Sequence, residues 1–386
     1  MNNFEFYCPT RVIFGKGAID ELPKHIDKSK KILMTYGGGS IKKNGVYEQV
    51  KKALEGYNLL EFGGIEPNPK YETLMKAVEI VKNEKVDFLL SVGGGSTLDG
   101  TKFIAAASKY FGDKDAYDYF MVEQMPVEDA VPLADVITLP ATGSEMNSGG
   151  VISRLATDEK LAFHSPKLFP QFSIIDPQVT YSLPVKQTIN GIVDTFVHVM
   201  EQYCTYEVNS PLQDSWALGI LRTLIQEAPK VLANPNDYEA RANIFWCATC
   251  GLNYWISVGV PQDWATHMIG HELTAFYGLD HGQSLAIILP RLLKNQKVSK
   301  SKKLAKLARE VFCINEVVDL KAADIAICEI ENFFNSIGMK TKLSDYEIDA
   351  NEAAVKIRDR FKIRNVSLGE KGNITADIAF DIVKEA

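Results

Sequence analysis

Two helical segments carry imidazole and carboxylate at one-turn spacing, and they constrain this chain more than any other feature. Asp194 and His198 lie in Ile189 to Gln202, INGIVDTFVHVMEQ, where Val193, Phe196, Val197 and Met200 supply an apolar face. A separation of four residues on a helix puts both polar groups on one side, one turn apart. Gln262 to Tyr277 repeats the spacing with His267 and His271, and His281 follows the Gly278-Leu279-Asp280 break. Four of the six histidines fall in the second segment, just after it, or in the first. Lone helical histidines are usually structural, but a set of this kind predicts a site for a divalent transition metal such as zinc or ferrous iron. Asp194, His198, His267 and His281 are the candidate ligands. Four-coordination by that set leaves His271, one turn from His267, to face a substrate. His271 to Ala275, HELTA, is not the metalloprotease motif, because Ala275 stands where its second histidine belongs.

The first half alternates short apolar runs with helical patterns, which predicts a parallel sheet covered by helices on both faces. Lys31 to Tyr36, Tyr57 to Phe62, Asp87 to Val92, Asp135 to Leu139 and Phe172 to Ile175 read as strands; Val151 to Leu155 and Leu161 to Phe163 read as an antiparallel pair. Phe4 to Phe14 contains Pro9 and reads as an edge strand. Two strands run straight into glycine-rich turns, Gly37-Gly38-Gly39-Ser40 and Gly93-Gly94-Gly95-Ser96. Strand, glycine turn and helix together present backbone N–H groups to a phosphate. The second turn is not the GxGxxG fingerprint, because Leu98 stands where its third glycine belongs, and no P-loop lysine follows. Asp99 is placed either to cap the following helix or to bond a nucleotide. Thr138, Thr142 and Ser144 put hydroxyls at the carboxyl end of the same sheet, where nucleotides bind.

From Pro184 the strand signal fades into successive helical patterns. The expected division is 1–183, an α/β dinucleotide-binding domain with a Rossmann-like parallel sheet, and 184–386, an all-helical metal-binding catalytic domain. Lys294 to Arg309 is basic and reads as the solvated face of a helix. Phe245, Trp246, Tyr254, Trp255 and Trp264 are candidates for an apolar substrate pocket. A net charge of -7 without a basic, aromatic-laced stripe argues against a nucleic-acid partner. No apolar run is long enough to cross a bilayer, and Met1 to Arg11 lacks the apolar core of a secretory signal. The six cysteines are scattered, so a reducing cytoplasm is expected. Cys247 and Cys250 match CxxC but read as two small residues on a helix.

Together these motifs resemble the iron-containing, or group III, alcohol dehydrogenases across essentially the whole chain. The carriers are GGGS at 93–96 with Asp99, PATGSE at 140–145, the Asp194/His198 pair, and the run from His267 through His271 to Asp280-His281-Gly282. Within the family, YGGGSIKKNG at 36–45 and FHSPKLFPQFSIIDP at 163–177 are most similar to butanol dehydrogenases and NADPH-dependent aldehyde reductases. The resemblance implies a cleft between the two domains, Fe²⁺ or Zn²⁺ on the four named ligands, and His271 as an additional cleft histidine. It places Gly94, Gly95, Ser96, Thr138, Thr142 and Lys160 at cofactor-contacting positions, and Asn68, in the Pro67-Asn68-Pro69 turn, is counted with them. It also implies a homodimer that pairs N-terminal strands.

Cofactor preference follows from charge. NAD-preferring members of the family carry an acid after the first strand, where it bonds the ribose and repels a 2′-phosphate. Here Gly37, Gly38, Gly39 and Ser40 occupy that turn without an acid, and Ser40 and Lys43 are placed to bind the phosphate. NADP(H) is therefore expected, and an aspartate at Gly37 or Gly39 should weaken it. The expected reaction is hydride transfer between NADP(H) and a short- to medium-chain aldehyde or primary alcohol such as butanal or butanol. The competing expectations are a glycerol-dehydrogenase-like polyol oxidoreductase, a dehydroquinate synthase, and a non-catalytic metal- and nucleotide-binding sensor.

Overall fold

Alternate residues of each central strand face opposite sides, and both sides are apolar. In the computed structural model, which describes residues 1–386, the strands are β1 (Arg11–Phe14), β2 (Lys31–Tyr36), β3 (Asn58–Phe62), β4 (Phe88–Gly93), β5 (Leu133–Ile137), β6 (Gly149–Arg154), β7 (Glu159–His164) and β8 (Phe172–Ile175). Six of them form one parallel sheet in the order β1-β8-β5-β4-β2-β3. Leu33, Leu89, Leu133, Ile137 and Ile175 bury on one face beside Leu74, Val78, Phe103 and Ile104. Ile32, Met34, Phe88, Leu90, Val92, Val136 and Ile174 bury on the other beside Ile19, Leu22, Val46 and Val50. A parallel sheet can tolerate such two-sided burial only if helices cover both faces.

The helices of this half are α1 (Ser40–Lys43), α2 (Val46–Ala53), α3 (Tyr71–Glu84) and α4 (Gly95–Ser108). The second half contributes α5 (Val185–Tyr203), α6 (Pro211–Ala233), α7 (Tyr238–Gly251), α8 (Ala265–Tyr277), α9 (His281–Asn295), α10 (Lys297–Glu310), α11 (Asp319–Ser336), α12 (Ala350–Ile363) and α13 (Ala376–Lys384). No helix is long and apolar enough to cross a membrane. The helical unit has its own core, in which Ala265, Ile269 and Leu273 of α8 meet Ile287, Ile288, Ile357, Phe361 and Ile382.

The chain forms two compact units: Met1–Phe6 groups with the helical residues Val185–Asn234 and Cys250–Ala386, and Pro235–Thr249 groups with the sheet residues Tyr7–Pro184. Several expectations need correction. Phe245 explains the second grouping, since its fully buried ring sits in the core beneath the sheet and is not part of a substrate pocket. Trp246 packs edge-on to Phe14 at 6.0 Å between ring centres, and Lys16 lies 4.2 Å over the Tyr238 ring. Asn2 N–H donates to the Gly259 carbonyl at 2.9 Å, which ties the first residues to the helical unit. The expected N-terminal strand keeps only Arg11–Phe14. Lys300 and Lys303 are not solvated: both are buried on α10. Lys300 Nζ donates to Asp263 at 2.7 Å and to the Cys204 carbonyl at 2.6 Å, and Lys303 pairs with Asp214. A buried ammonium survives only when paired in this way.

Candidate metal centre and nucleotide site

The three predicted imidazole ligands converge on a carboxylate oxygen of the fourth, Asp194, inside the helical unit. Asp194 Oδ1 stands 3.5 Å from His198 Nε2, 3.6 Å from His267 Nε2 and 3.4 Å from His281 Nε2. The donor atoms of Asp194, His267 and His281 all lie within 4.8 Å of one another. Donors held at ~2.0–2.2 Å from a tetrahedral ion lie roughly 3.3–3.6 Å apart, which the three Asp194–imidazole distances match; His198 meets Asp194 but stands outside the tighter group of Asp194, His267 and His281. Asp194, His198 and His267 are buried, and His281 is partly open.

Local sequence explains how each ligand arrives. Asp194 and His198 share one face of α5, and His267 comes from the first turn of α8. His281 opens α9, where Asp280 and Gln283 close a reciprocal capping box. Asn190, one turn before Asp194, donates from Nδ2 to Asp280 Oδ2 at 2.8 Å, which ties the start of α9 to α5. Gly282 permits the approach: a Cβ there would sit 2.8 Å from Asn190 Cα and 2.9 Å from its carbonyl oxygen.

Glu201 completes the arrangement, and the sequence reading missed it. Its Oε2 accepts a very short bond from His267 Nδ1, while Oε1 accepts from the backbone N–H groups of Thr266 and His267. Glu201 lies three residues after His198 and seven after Asp194, on the same helix face, and that spacing was the available signal. With Nδ1 engaged, the buried His267 Nε2 is left to face Asp194 Oδ1 at 3.6 Å. A neutral imidazole held this way points a lone pair into the cluster, as a carboxylate–histidine–metal triad requires. One carboxylate and three imidazoles therefore fit a borderline cation such as Zn²⁺ or Fe²⁺.

Without the ion, the cluster retains a proton instead. Burial disfavours the His267 imidazolium, but the charges and bonds of Glu201 and Asp194 outweigh it and push its pKa up to about 9 from 6.5. A raised histidine pKa stabilises the metal-free fold fully below about pH 6.5, and that contribution disappears as pH rises through about 9. A metal must displace this proton, so Zn²⁺ affinity should climb about tenfold per pH unit between pH 7 and 8. Titration calorimetry in buffers of different ionisation enthalpy measures both the slope and the released proton. A flat affinity across that interval would show that no proton competes.

Two more side chains flank the cluster. The His271 ring lies 5.4 Å from that of His281 and 6.1 Å from that of His267, centre to centre. Trp264 holds a left-handed conformation at φ 61° before α8 and turns its ring edge-on to His198 and His267 at 6.1 and 5.4 Å. Of the five proposed pocket residues, Trp264 is the one the structure sets against the cluster.

The predicted nucleotide residues gather at the carboxyl ends of β2, β4 and β5 in the sheet unit. Gly37 to Gly39 follow β2; Ser40 and Lys43 are the first and last residues of α1. Gly94 and Gly95 join β4 to α4, and Thr138 N–H bonds the Gly93 carbonyl at 2.9 Å across the strand ends. Gly95 is required by proximity, because a Cβ there would lie 2.3 Å from Thr142 Oγ1. Asn68 has φ 54°, and its N–H reaches Ser96 Oγ at 3.4 Å. Lys160 lies on β7 opposite Ser153, and its charge reaches Asp99. Asp99 neither caps α4 nor is left open: Oδ1 accepts from Ser144 Oγ at 2.7 Å and Oδ2 from Val151 N–H at 3.0 Å. Cys247 and Cys250 lie on α7.

Comparison with known proteins follows the same division. Residues 9–177 match the family model described as iron-containing alcohol dehydrogenase, and residues 188–376 match the C-terminal model of the same family. The chain is 50% identical over 386 residues to the NADPH-dependent aldehyde reductase YqhD of Escherichia coli, covering 100% of both chains. It is 45% identical over 351 residues to NADP-dependent alcohol dehydrogenase 3 of Entamoeba histolytica, covering 90% of each. Among solved structures, the NADH-dependent butanol dehydrogenase A of Thermotoga maritima superposes with a TM-score of 0.94 at 36% identity, over 100% of this chain and 98% of that one.

Proposed function

Because the chain belongs to the iron-containing alcohol dehydrogenase family, we propose that it transfers a hydride between NADP(H) and a short- to medium-chain aldehyde or primary alcohol such as butanal or butanol. The observation that carries this reading is the buried Asp194 oxygen with three imidazole nitrogens 3.4–3.6 Å around it. Asp194, His198, His267 and His281 would hold Fe²⁺ or Zn²⁺, which would supply Lewis acidity toward a carbonyl or alkoxide oxygen. The protein's own groups do the rest. Glu201 fixes the His267 ring and its tautomer. Trp264 shields the edges of two ligand rings and keeps water from them. His271 faces the substrate and moves its proton at an imidazole nitrogen.

The nucleotide reading rests on the turns at the strand ends. Along the sheet, β4 lies between β2 and β5. We assign the adenosine 2′-phosphate to Gly37–Ser40 and Lys43, the pyrophosphate to Gly94–Ser96 on α4, and the nicotinamide half to Thr138, Thr142 and Ser144. Two of the three relatives named above use NADP or NADPH by name, and the absence of an acid after β2 supports the same preference. Exposed Phe4, Phe6 and Tyr7 leading into edge strand β1 support a homodimer, and the scatter of the six cysteines along the chain supports a cytoplasmic location.

The structure also refines the test of cofactor choice. Gly39 has φ 97°, and a Cβ at Gly37 would lie 3.2 Å from the Ile65 carbonyl, so aspartate at either would strain the turn itself. Gly38 has open space and no such conformation. Gly38→Asp is expected to raise the KM for NADPH about tenfold or more, through like-charge repulsion, while that for NADH stays or falls. Steady-state rates with butyraldehyde and each cofactor check this. Equal effects on both cofactors would remove the 2′-phosphate from this turn.

A further inference from the structure

Lys102 is fully buried in the sheet unit, and nothing in the reaction described above uses it. It sits on α4 one turn after Asp99, and its ammonium enters a nest of oxygens from a single neighbouring segment. Nζ lies 2.8 Å from both the Ser144 carbonyl and Ser144 Oγ, 2.9 Å from the Asn147 carbonyl, 3.0 Å from Asn147 Oδ1 and 2.7 Å from the Gly149 carbonyl. Asp99 grips the same segment through Ser144 Oγ and Val151 N–H. Asn147 adds a bond from Nδ2 to the Gly143 carbonyl at 2.9 Å. The segment from Gly143 to Val151 is thus clasped to α4 at successive points, and Thr142 rests against Gly95 at the start of that helix.

We propose that Lys102 is a positioning residue for the cofactor: it locks the Thr142–Gly149 segment to α4 through Ser144 and Asn147, so that Thr142 and the Gly94–Ser96 turn present one rigid surface to the pyrophosphate and nicotinamide half of the dinucleotide. This rests on the assignment of those turns to the nucleotide. Burial opposes the ammonium, yet the neighbouring Asp99, Asp135 and Glu145 leave its pKa only lowered to about 8. A charged group so deeply placed, bonded chiefly to backbone carbonyls, fixes geometry that an apolar side chain cannot. Asn147 supplies the side-chain half of the same lock.

The experiment compares two ligands on the full-length protein by fluorescence titration: NADPH, which spans all three turns, and adenosine 2′,5′-bisphosphate, which reaches only the β2 end. Lys102→Met should raise the Kd for NADPH about tenfold or more, while that for the bisphosphate stays within about threefold. A variant merely loosened in its fold would lose both together, and that outcome overturns the proposal, as does an unchanged NADPH Kd. If Lys102→Met does not accumulate as folded protein, Asn147→Ala decides, with the same split in smaller measure expected and its absence contradicting the clasp. Failure of the wild-type protein to bind either ligand would instead overturn the nucleotide assignment itself.

Discussion

Replacing Asp194 with asparagine is expected to reduce kcat/KM for butyraldehyde roughly a thousandfold or more while leaving the protein folded. Asp194 Oδ1 is the atom all three ligand imidazoles share, at 3.4–3.6 Å. The amide keeps the carboxylate's shape but removes the one negative charge among the four candidate ligands. It is also a far poorer ligand than a carboxylate, so bound metal should fall with activity. The metal-free protein loses a partner of the His267 imidazolium as well, which lowers the histidine's raised pKa. Metal content by elemental analysis, circular dichroism and steady-state rates separate these effects. Turnover within about tenfold of the native value, with metal still bound, would mean that the carboxylate is not a ligand.

Glu201→Gln tests the clamp behind the cage and should weaken metal binding about 10- to 100-fold. The substitution keeps an acceptor for the Thr266 and His267 backbone N–H groups that Oε1 serves. It places an NH₂ donor against His267 Nδ1, which Oε2 now engages. That donor favours the tautomer with its proton on Nε2, aimed at the cluster where the imidazole's lone pair would be needed by the ion. Activity should therefore be low at limiting metal and recover as Zn²⁺ or Fe²⁺ is raised. A role in folding alone predicts the reverse, a lower Tm with unchanged metal affinity.

The ligand set was legible because a helix converts sequence spacing directly into a shared face, as with Asp194 and His198. The parallel sheet was legible for a related reason: β2, β4 and β8 are mainly apolar without a two-residue alternation, and only a sheet covered on both sides accommodates them. Glu201 was harder. A glutamate on a helix ordinarily reads as solvated, and only the arrival of α8 makes it a buried acceptor. The same blindness hid Lys300 and Lys303, whose carboxylate partners Asp263 and Asp214 lie far away in the chain. Periodicity recognises α7 as a helix but carries no mark of the core it joins, so the placement of Pro235–Thr249 with the sheet unit could not be read. Asp99 shows a further limit. Its position at the start of α4 suggested a cap or a nucleotide contact and gave no sign that a distant loop would bond both oxygens.

The most direct measurement is NADPH oxidation with butyraldehyde by protein stripped with chelator and then reloaded with Fe²⁺ or Zn²⁺, with metal content determined on the same samples. Turnover should disappear with the metal, return in proportion to about one ion per chain, and return in the native protein but not in Asp194→Asn. Turnover that persists undiminished in protein shown to be free of metal would contradict a metal-dependent hydride transfer.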